Sequence, residues 1–298
     1  MAFHRAFAML LLGAFFTSPV WGAQSTGTIP DFSGYWGRDS FELEQPPAGP
    51  GPLLNTARRP NGLSDFLKLV GDYKNPILKP KAVEEVKRLG DISIGGQAYP
   101  NPQNQCWPFP PTFLLFFNLG MEIFQQKDEI TFVYKADHQV RRVRMNQPHP
   151  AHVAPSWYGD SVGHYEGDTL VVDTVGIKIG PLSMLDIYGT PYSEALHLIE
   201  RYRLIDGGAA KQAVERHENT QGRLGPAQGY PTIDSAYKGP GLQVQIQVED
   251  NDVFTTPWSA FVTLQRVADD WAEYVCAENT RDFEGRTVGV PYDDTPDF

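Results

Sequence analysis

Cysteine is nearly absent from this chain: Cys106 and Cys276 are the two it has. So few thiols leave no cluster for an iron–sulfur centre or a thiolate zinc site. Long apolar runs are also scarce. Beyond the first residues the longest is Phe113–Phe117, broken at once by Asn118 and Gly120, so no transmembrane segment is expected. No glycine-rich dinucleotide fingerprint and no Walker loop occurs, so the expectation is that no cofactor is used. Positive charge is in deficit, with 25 Lys and Arg against 36 Asp and Glu and a net charge of −11. An acidic surface repels phosphate backbones, which excludes nucleic acid as an expected partner. Repeats, heptads and low-complexity tracts are absent, and nothing sets an oligomeric state.

What is present begins with Met1–Arg5, carrying a single positive side chain, followed by an apolar run from Ala6 to Phe16 and the breaker Ser18-Pro19. Gly22 and Ala23 offer small residues before polar Gln24-Ser25-Thr26. A run too short to span a bilayer, with these flanks, reads as a signal peptide over residues 1–23, and so as export to the periplasm or beyond. In an oxidising compartment a lone, widely separated cysteine pair reads as a disulfide, the alternative being two free buried thiols.

Residues 24–298 read as one domain, mainly β. Glycine (28) and proline (25) are plentiful, which suits turns and long loops. About residues 55–118 form a helical and loop insertion, with helices expected at Ser64–Val70 and Pro80–Leu89; in the second, Pro80 opens the helix and Gly90 ends it. From Met121 onward the pattern is strands. Ile130, Phe132 and Tyr134 alternate with Thr131, Val133 and Lys135, and Leu242, Val244, Ile246 and Val248 alternate with Gln243, Gln245, Gln247 and Glu249. Glu166-Gly167-Asp168 signals a hairpin between strands near Tyr158–Tyr165 and Thr169–Val175. Further strands are expected at Leu196–Leu204, Ser259–Val267 and Trp271–Cys276. Successive antiparallel strands make a meander, and closing it into a barrel removes the exposed edges.

Phe32-Ser33-Gly34-Tyr35-Trp36 resembles the Gly-x-Trp first strand of lipocalin-like (calycin) barrels, which implies an antiparallel, lipocalin-like β-barrel. The run Trp157-Tyr158-Gly159-Asp160-Ser161-Val162-Gly163-His164-Tyr165-Glu166-Gly167-Asp168-Thr169-Leu170-Val171-Val172-Asp173-Thr174 is similar to a signature shared by a group of exported bacterial proteins. Glu200-Arg201-Tyr202-Arg203 and Thr256-Pro257-Trp258 belong to the same likeness, which carries no reaction with it.

Gly159-Asp160-Ser161-Val162-Gly163 matches the Gly-x-Ser-x-Gly elbow of hydrolases, but a strand and hairpin follow where that turn needs a helix. The glycines then read as a bulge or a close-packed point in a strand. His149 and His152 could hold a metal, yet Pro148, Pro150 and Pro155 forbid the helix that aligns such pairs, and loop-pinning histidines are the alternative; no metal is expected. Glu200 shares a strand face with Leu196, Leu198, Tyr202 and Leu204. Pointing into a barrel, its carboxyl would be desolvated and fit for proton transfer, or it would pair with Arg142 or Arg144 across the sheet. His197, Arg201 and Arg203 take the other face, and a bulge would exchange the two sets. Asp160 and His164 share a face and could act as an oriented acid–base pair, with His164 as a mere cross-strand partner the alternative.

Two functions follow. In the first, the chain is a cofactor-independent lyase, decarboxylase, dehydratase or isomerase acting on a small hydrophobic, aromatic or terpenoid compound. Its catalytic groups would be Glu200, His164, Asp160 and Arg142, and its substrate-binding groups Tyr158, Tyr202, Trp157, Trp258 and His197. In the second, the barrel carries an apolar ligand without chemistry and the polar residues are structural. Export is checked by N-terminal sequencing of protein recovered from outside the cytoplasm: the expected first residue is Gln24, and a start at Met1 would remove the signal-peptide reading.

Overall fold

The computed structural model describes residues 29–38, 41–116, 119–221, 233–234, 236–268 and 274–276. Residues 1–23, read above as a signal peptide, lie outside the described residues. Among the described residues, nine strands close into one barrel in chain order. They are β1 (Gly34–Gly37), β2 (Met121–Gln125), β3 (Glu129–Tyr134), β4 (Val140–Met145), β5 (Asp160–Glu166), β6 (Thr169–Val175), β7 (His197–Ile205), β8 (Gly241–Glu249) and β9 (Trp258–Arg266). The mainly β barrel expected from the meander is therefore present, closed by pairing of β1 with β9.

The alternation dictates which way each strand faces. Leu242, Val244, Ile246 and Val248 of β8 are buried, as are Leu198, Glu200 and Tyr202 of β7, so the apolar sets meet inside and the glutamines of β8 face out. No bulge exchanges the faces of β7 and β8, whose register runs unbroken from His197 opposite Glu249 to Ile205 opposite Gly241. The waist of the lumen is filled: Phe132 stacks on Tyr202 with ring centroids 5.2 Å apart, and Leu198, Val244 and Ile246 are fully shielded. At one end a void of about 10 Å³ lies among Arg38, Leu114, Leu115, Met121, Tyr134 and Leu264, no larger than one water needs.

One pair departs from the meander: β4 and β5 run parallel, Val143 opposite Ser161 and Met145 opposite Gly163. A parallel neighbour cannot be reached by a hairpin, so the chain crosses over through Asn146–Gly159. Pro148, Pro150 and Pro155 lack the N–H that would draw this segment into a ladder. The glycines flanking the Ser161 motif are close-packed points. A Cβ on Gly163 would stand 2.8 Å from Val143 Cγ1, and one on Gly159, whose φ is +69°, 2.6 Å from the Val175 carbonyl.

The insertion caps and flanks the barrel. Helix α1 (Pro80–Ile94) buries Ala82, Val86, Leu89, Gly90 and Ser93 along one stripe. It runs past the expected stop at Gly90, because that glycine packs inside the helix, where a Cβ would lie 3.2 Å from Val70 Cγ1. The helix expected over Ser64–Val70 is a set of turns. The Leu69 N–H goes to Ser93 Oγ at 2.8 Å and the Val70 N–H to Asn55 Oδ1 at 3.2 Å, so amides a helix would use are taken by side chains. A short helix α2 (Pro111–Phe116) is buried along its length against the barrel end. Helix α3 (Gly207–Gln221) was not anticipated; Asp206 caps it through Oδ1, which accepts the Ala209 N–H at 3.0 Å.

The disulfide is formed, joining Cys106 to Cys276 across 170 residues with Cα atoms 5.4 Å apart. It was expected to reach a final strand over Trp271–Cys276; Trp271 lies outside the described residues, and Tyr274–Cys276 are not strand. The cystine instead fastens the segment after β9 to the insertion and to the β3–β4 turn, where Asp137 Oδ1 accepts the Cys276 N–H at 2.6 Å. Replacing both cysteines by serine should lower unfolding stability by about 3–5 kcal/mol, the cost of freeing a loop this long. Urea unfolding monitored by tryptophan fluorescence checks it, and an unchanged midpoint would contradict it.

Candidate acid–base sites on the two faces of the barrel wall

Inside the barrel Glu200 has a partner, but neither of the two expected. The Arg141 guanidinium donates to its two carboxylate oxygens at 3.0 and 2.5 Å, and Tyr202 donates its hydroxyl to Oε1 at 2.8 Å. Arg141 also donates to Ser161 Oγ at 3.0 Å and to Thr174 Oγ1 at 2.6 Å, and lies 5.9 Å from the centre of the Phe132 ring. Both side chains of the pair are 1% exposed. Burial works against the charge on Arg141, yet the adjacent Glu200 carboxylate outweighs it and raises the guanidinium above its ordinary value. Burial also pushes the Tyr134 hydroxyl, near this pair, up to about 12. Ser161 is enclosed with them, which removes it as a nucleophile.

The expected partners are on the outer wall because Arg141, Val143 and Met145 of β4 point in and the residues between them point out. Arg142, read as catalytic, is exposed and pairs with Glu129 at 2.5 Å. Arg144 holds Asp160 with two bonds of 2.7 and 2.9 Å. His164 is exposed and faces Glu166 at 3.2 Å rather than Asp160. Four strand residues span about 13 Å, so sharing a face does not bring Asp160 and His164 together. The barrel wall separates both of them from Glu200.

The aromatic set is divided too. Tyr202 is in the lumen, while Trp258 is buried edge-on against Phe254 with centroids 5.7 Å apart. Trp157 meets Trp107 at 5.2 Å and carries Lys178 over its ring at 4.8 Å. Tyr158 donates to Gln139 Oε1 at 2.9 Å, and burial raises its hydroxyl to about 12.

What the outer wall does assemble is a row of imidazoles and carboxylates running across the strands. His149, from the crossover, places Nδ1 2.6 Å from Asp160 of β5 and Nε2 3.1 Å from Asp173 of β6. Asp173 Oδ1 also takes His197 Nε2 of β7 at 2.9 Å, and His197 Nδ1 faces Glu249 of β8 at 3.4 Å. Gln247 donates to the other Glu249 oxygen at 2.6 Å. A carboxylate only accepts, so a ring between two of them satisfies both when it carries both protons. The Asp173 hydrogen bond, opposed by burial, raises His197 above its ordinary 6.5. Burial of Asp173 favours its neutral form, but His197 and His149 outweigh that and hold it below its ordinary 3.8. The row is a quarter to a third exposed along its length. Among the described residues, no group of three or more His, Cys, Asp or Glu is arranged to hold a metal ion, and no helix is long and apolar enough to cross a membrane.

No family model, no curated protein and no solved structure matches the chain.

Arg141 was missed although Val143 and Met145 share its parity and mark it as inward. Glu249 and Asp173 carried only the weak signal of a charge in an alternating strand. Breaking the lumen pair by Glu200→Gln or Arg141→Leu should cost about 3–5 kcal/mol, because the remaining charge or donor set is stranded in the core. Changing both to leucine should cost clearly less. Thermal unfolding of the singles and the double decides this, and singles no worse than the double would refute it.

Proposed function

We propose that this is an exported, cofactor-independent acid–base enzyme of lyase or isomerase type. Its substrate is a small hydrophobic compound, and its working groups are the outer-wall residues His197 and Asp173. The observation that carries the reading is the asymmetric hold on the His197 ring. Asp173 fixes Nε2 at 2.9 Å, whereas Glu249 lies a looser 3.4 Å from Nδ1, and about a third of the side chain is exposed. A carboxylate that orients one ring nitrogen leaves the other to exchange a proton with a bound molecule. The proton leaves Nδ1 for the substrate and is regained from it or from water, so the cycle consumes no cofactor. Raising His197 above 6.5 keeps it an effective acid near neutral pH. The Arg141–Glu200 pair serves on this reading as the rigid support of the wall behind the site. The signal-peptide reading of residues 1–23 and the disulfide both suit an oxidising compartment.

A carrier reading has one observation in its favour. An open groove of about 260 Å³ is lined by half-exposed Phe124 and Ile123 together with Ser33, Gly34, Glu122, Gln125 and Gln126, and it would take a small ligand without chemistry.

The deciding experiment identifies co-purifying compounds by mass spectrometry and assays their turnover by wild type, His197→Gln and Asp173→Asn. The expected result is a fall in kcat of about 10²–10⁴-fold with KM kept. Because His197 acts as an acid with a raised pKa, wild-type kcat should decline as pH rises through that value. Binding without turnover by wild type would favour the carrier, and full activity in His197→Gln would refute the assignment.

A further inference from the structure

We propose that the loop of residues 56–70, with the last turn of α1, is a surface that docks on an anionic phospholipid bilayer. Leu67 and Ile94 enter the headgroup layer, and Arg59 and Lys68 meet the lipid phosphates. None of these residues belongs to the outer-wall row, so the docking surface stands or falls apart from the acid–base reading.

The loop is a fixed display. It closes at its base, where the Val70 carbonyl accepts the Thr56 N–H at 2.7 Å and the Thr56 hydroxyl at 3.0 Å. Toward its tip Asp65 holds a tight turn, its carbonyl accepting the Lys68 N–H at 2.9 Å and its Oδ1 the Leu67 N–H at 3.2 Å. The apolar residues beside the tip turn inward: Phe66 packs edge-on against Phe41 with centroids 5.2 Å apart, and Leu69 is half-buried against the core. Leu67 is held outward between them and is 88% exposed. The Leu69 N–H bond to Ser93 Oγ fastens this tip to the end of α1, where Ile94 is 58% exposed. These are the two most exposed large apolar side chains among the described residues. A leucine exposed singly needs no explanation, but one displayed by its own turn beside a second aliphatic side chain and among cations does.

Charge selects the partner. Residues 55–94 carry eight Lys and Arg against five Asp and Glu, a charge of +3 in a chain of −11, which leaves −14 for the other residues. Within the loop, Asp65 is the one acidic residue, and its Oδ1 is taken by the turn. Arg58 is occupied with the Ala57 carbonyl at 3.0 Å. Arg59 and Lys68 are exposed, and among the described residues no carboxylate stands within ion-pair distance of either. A positive lobe on a negative molecule gives an anionic surface one orientation to attract. The negative remainder costs little there, because at about 0.1 M salt charges beyond roughly 10 Å are screened. An acidic protein would offer the same charge, yet two aliphatic side chains expose far less than the roughly 800 Å² per partner of a stable protein interface. A bilayer needs only a few inserted side chains and nearby cations.

Sedimentation of the full chain with large vesicles tests the surface. Vesicles of phosphatidylcholine containing phosphatidylglycerol should carry the protein down, and raising the salt from about 0.1 M to about 0.5 M should release it. Arg59→Gln and Lys68→Gln should each weaken partition about fivefold, and Leu67→Ser about threefold through lost apolar burial. Each variant is compared with wild type in the same form of the chain, so that residues 1–23 contribute equally, and unchanged thermal unfolding shows that it is folded. Equal partition of wild type to vesicles of phosphatidylcholine alone would overturn the proposal, and so would variants that sediment like wild type. Weakening by the two charge variants with Leu67→Ser unaffected would overturn it too, and would leave an acidic protein as the occupant.

Discussion

The Arg141–Glu200 pair is the constraint around which the barrel is arranged. Two charges at 1% exposure survive in an apolar lumen only if every donor and acceptor is met. That requirement ties β4 to β5 through Ser161, to β6 through Thr174, and to β7 through Glu200 and Tyr202. These contacts span the one junction where the ladder is parallel and short, with three paired residues on β4. The side chains therefore add cross-links at a junction where the backbone ladder is short. A pair of this kind adds little net stability over an apolar core, but it admits one register, since a slip of one residue would turn Arg141 out and leave Glu200 alone.

The wall built this way has two chemically different faces. Inside, Arg141 and Glu200 are bonded to each other and to Ser161, Thr174 and Tyr202, and the rings of Phe132 and Tyr202 stack beside them. Outside, the same strands carry a row in which protons are shared between imidazoles and carboxylates and water has access.

Much of the architecture was legible from pattern alone. The alternation of β8 is strict, so its burial could be read directly, and Leu196, Leu198 and Tyr202 marked Glu200 as inward. The barrel, its hairpin at Glu166–Asp168 and the start of α1 at Pro80 followed from equally local signals, and the cystine from the count of two cysteines. Pairing was less legible. Arg142 and Arg144 were preferred to Arg141 as partners of Glu200, although parity with Val143 and Met145 points to Arg141. Asp160 and His164 were linked by a shared face, which says nothing of separation along a strand. The Ser64–Val70 turns and α3 were misjudged because Ser93, Asn55 and Asp206 decide where those amides bond.

By itself, then, the sequence determined the two-residue period, the faces that follow from it and the mainly β class, because each is set by neighbours close along the chain, and it offered a single possible cysteine pair because it has two cysteines. The tertiary structure alone decided that β5 lies parallel to β4, that Arg141 meets Glu200, and that a histidine from a proline-rich crossover closes a row with Asp160, Asp173, His197 and Glu249. Those contacts join residues far apart in sequence, and the physical reason they form, the need of each buried or half-buried charge for a partner, acts only once the strands have brought the candidates within reach.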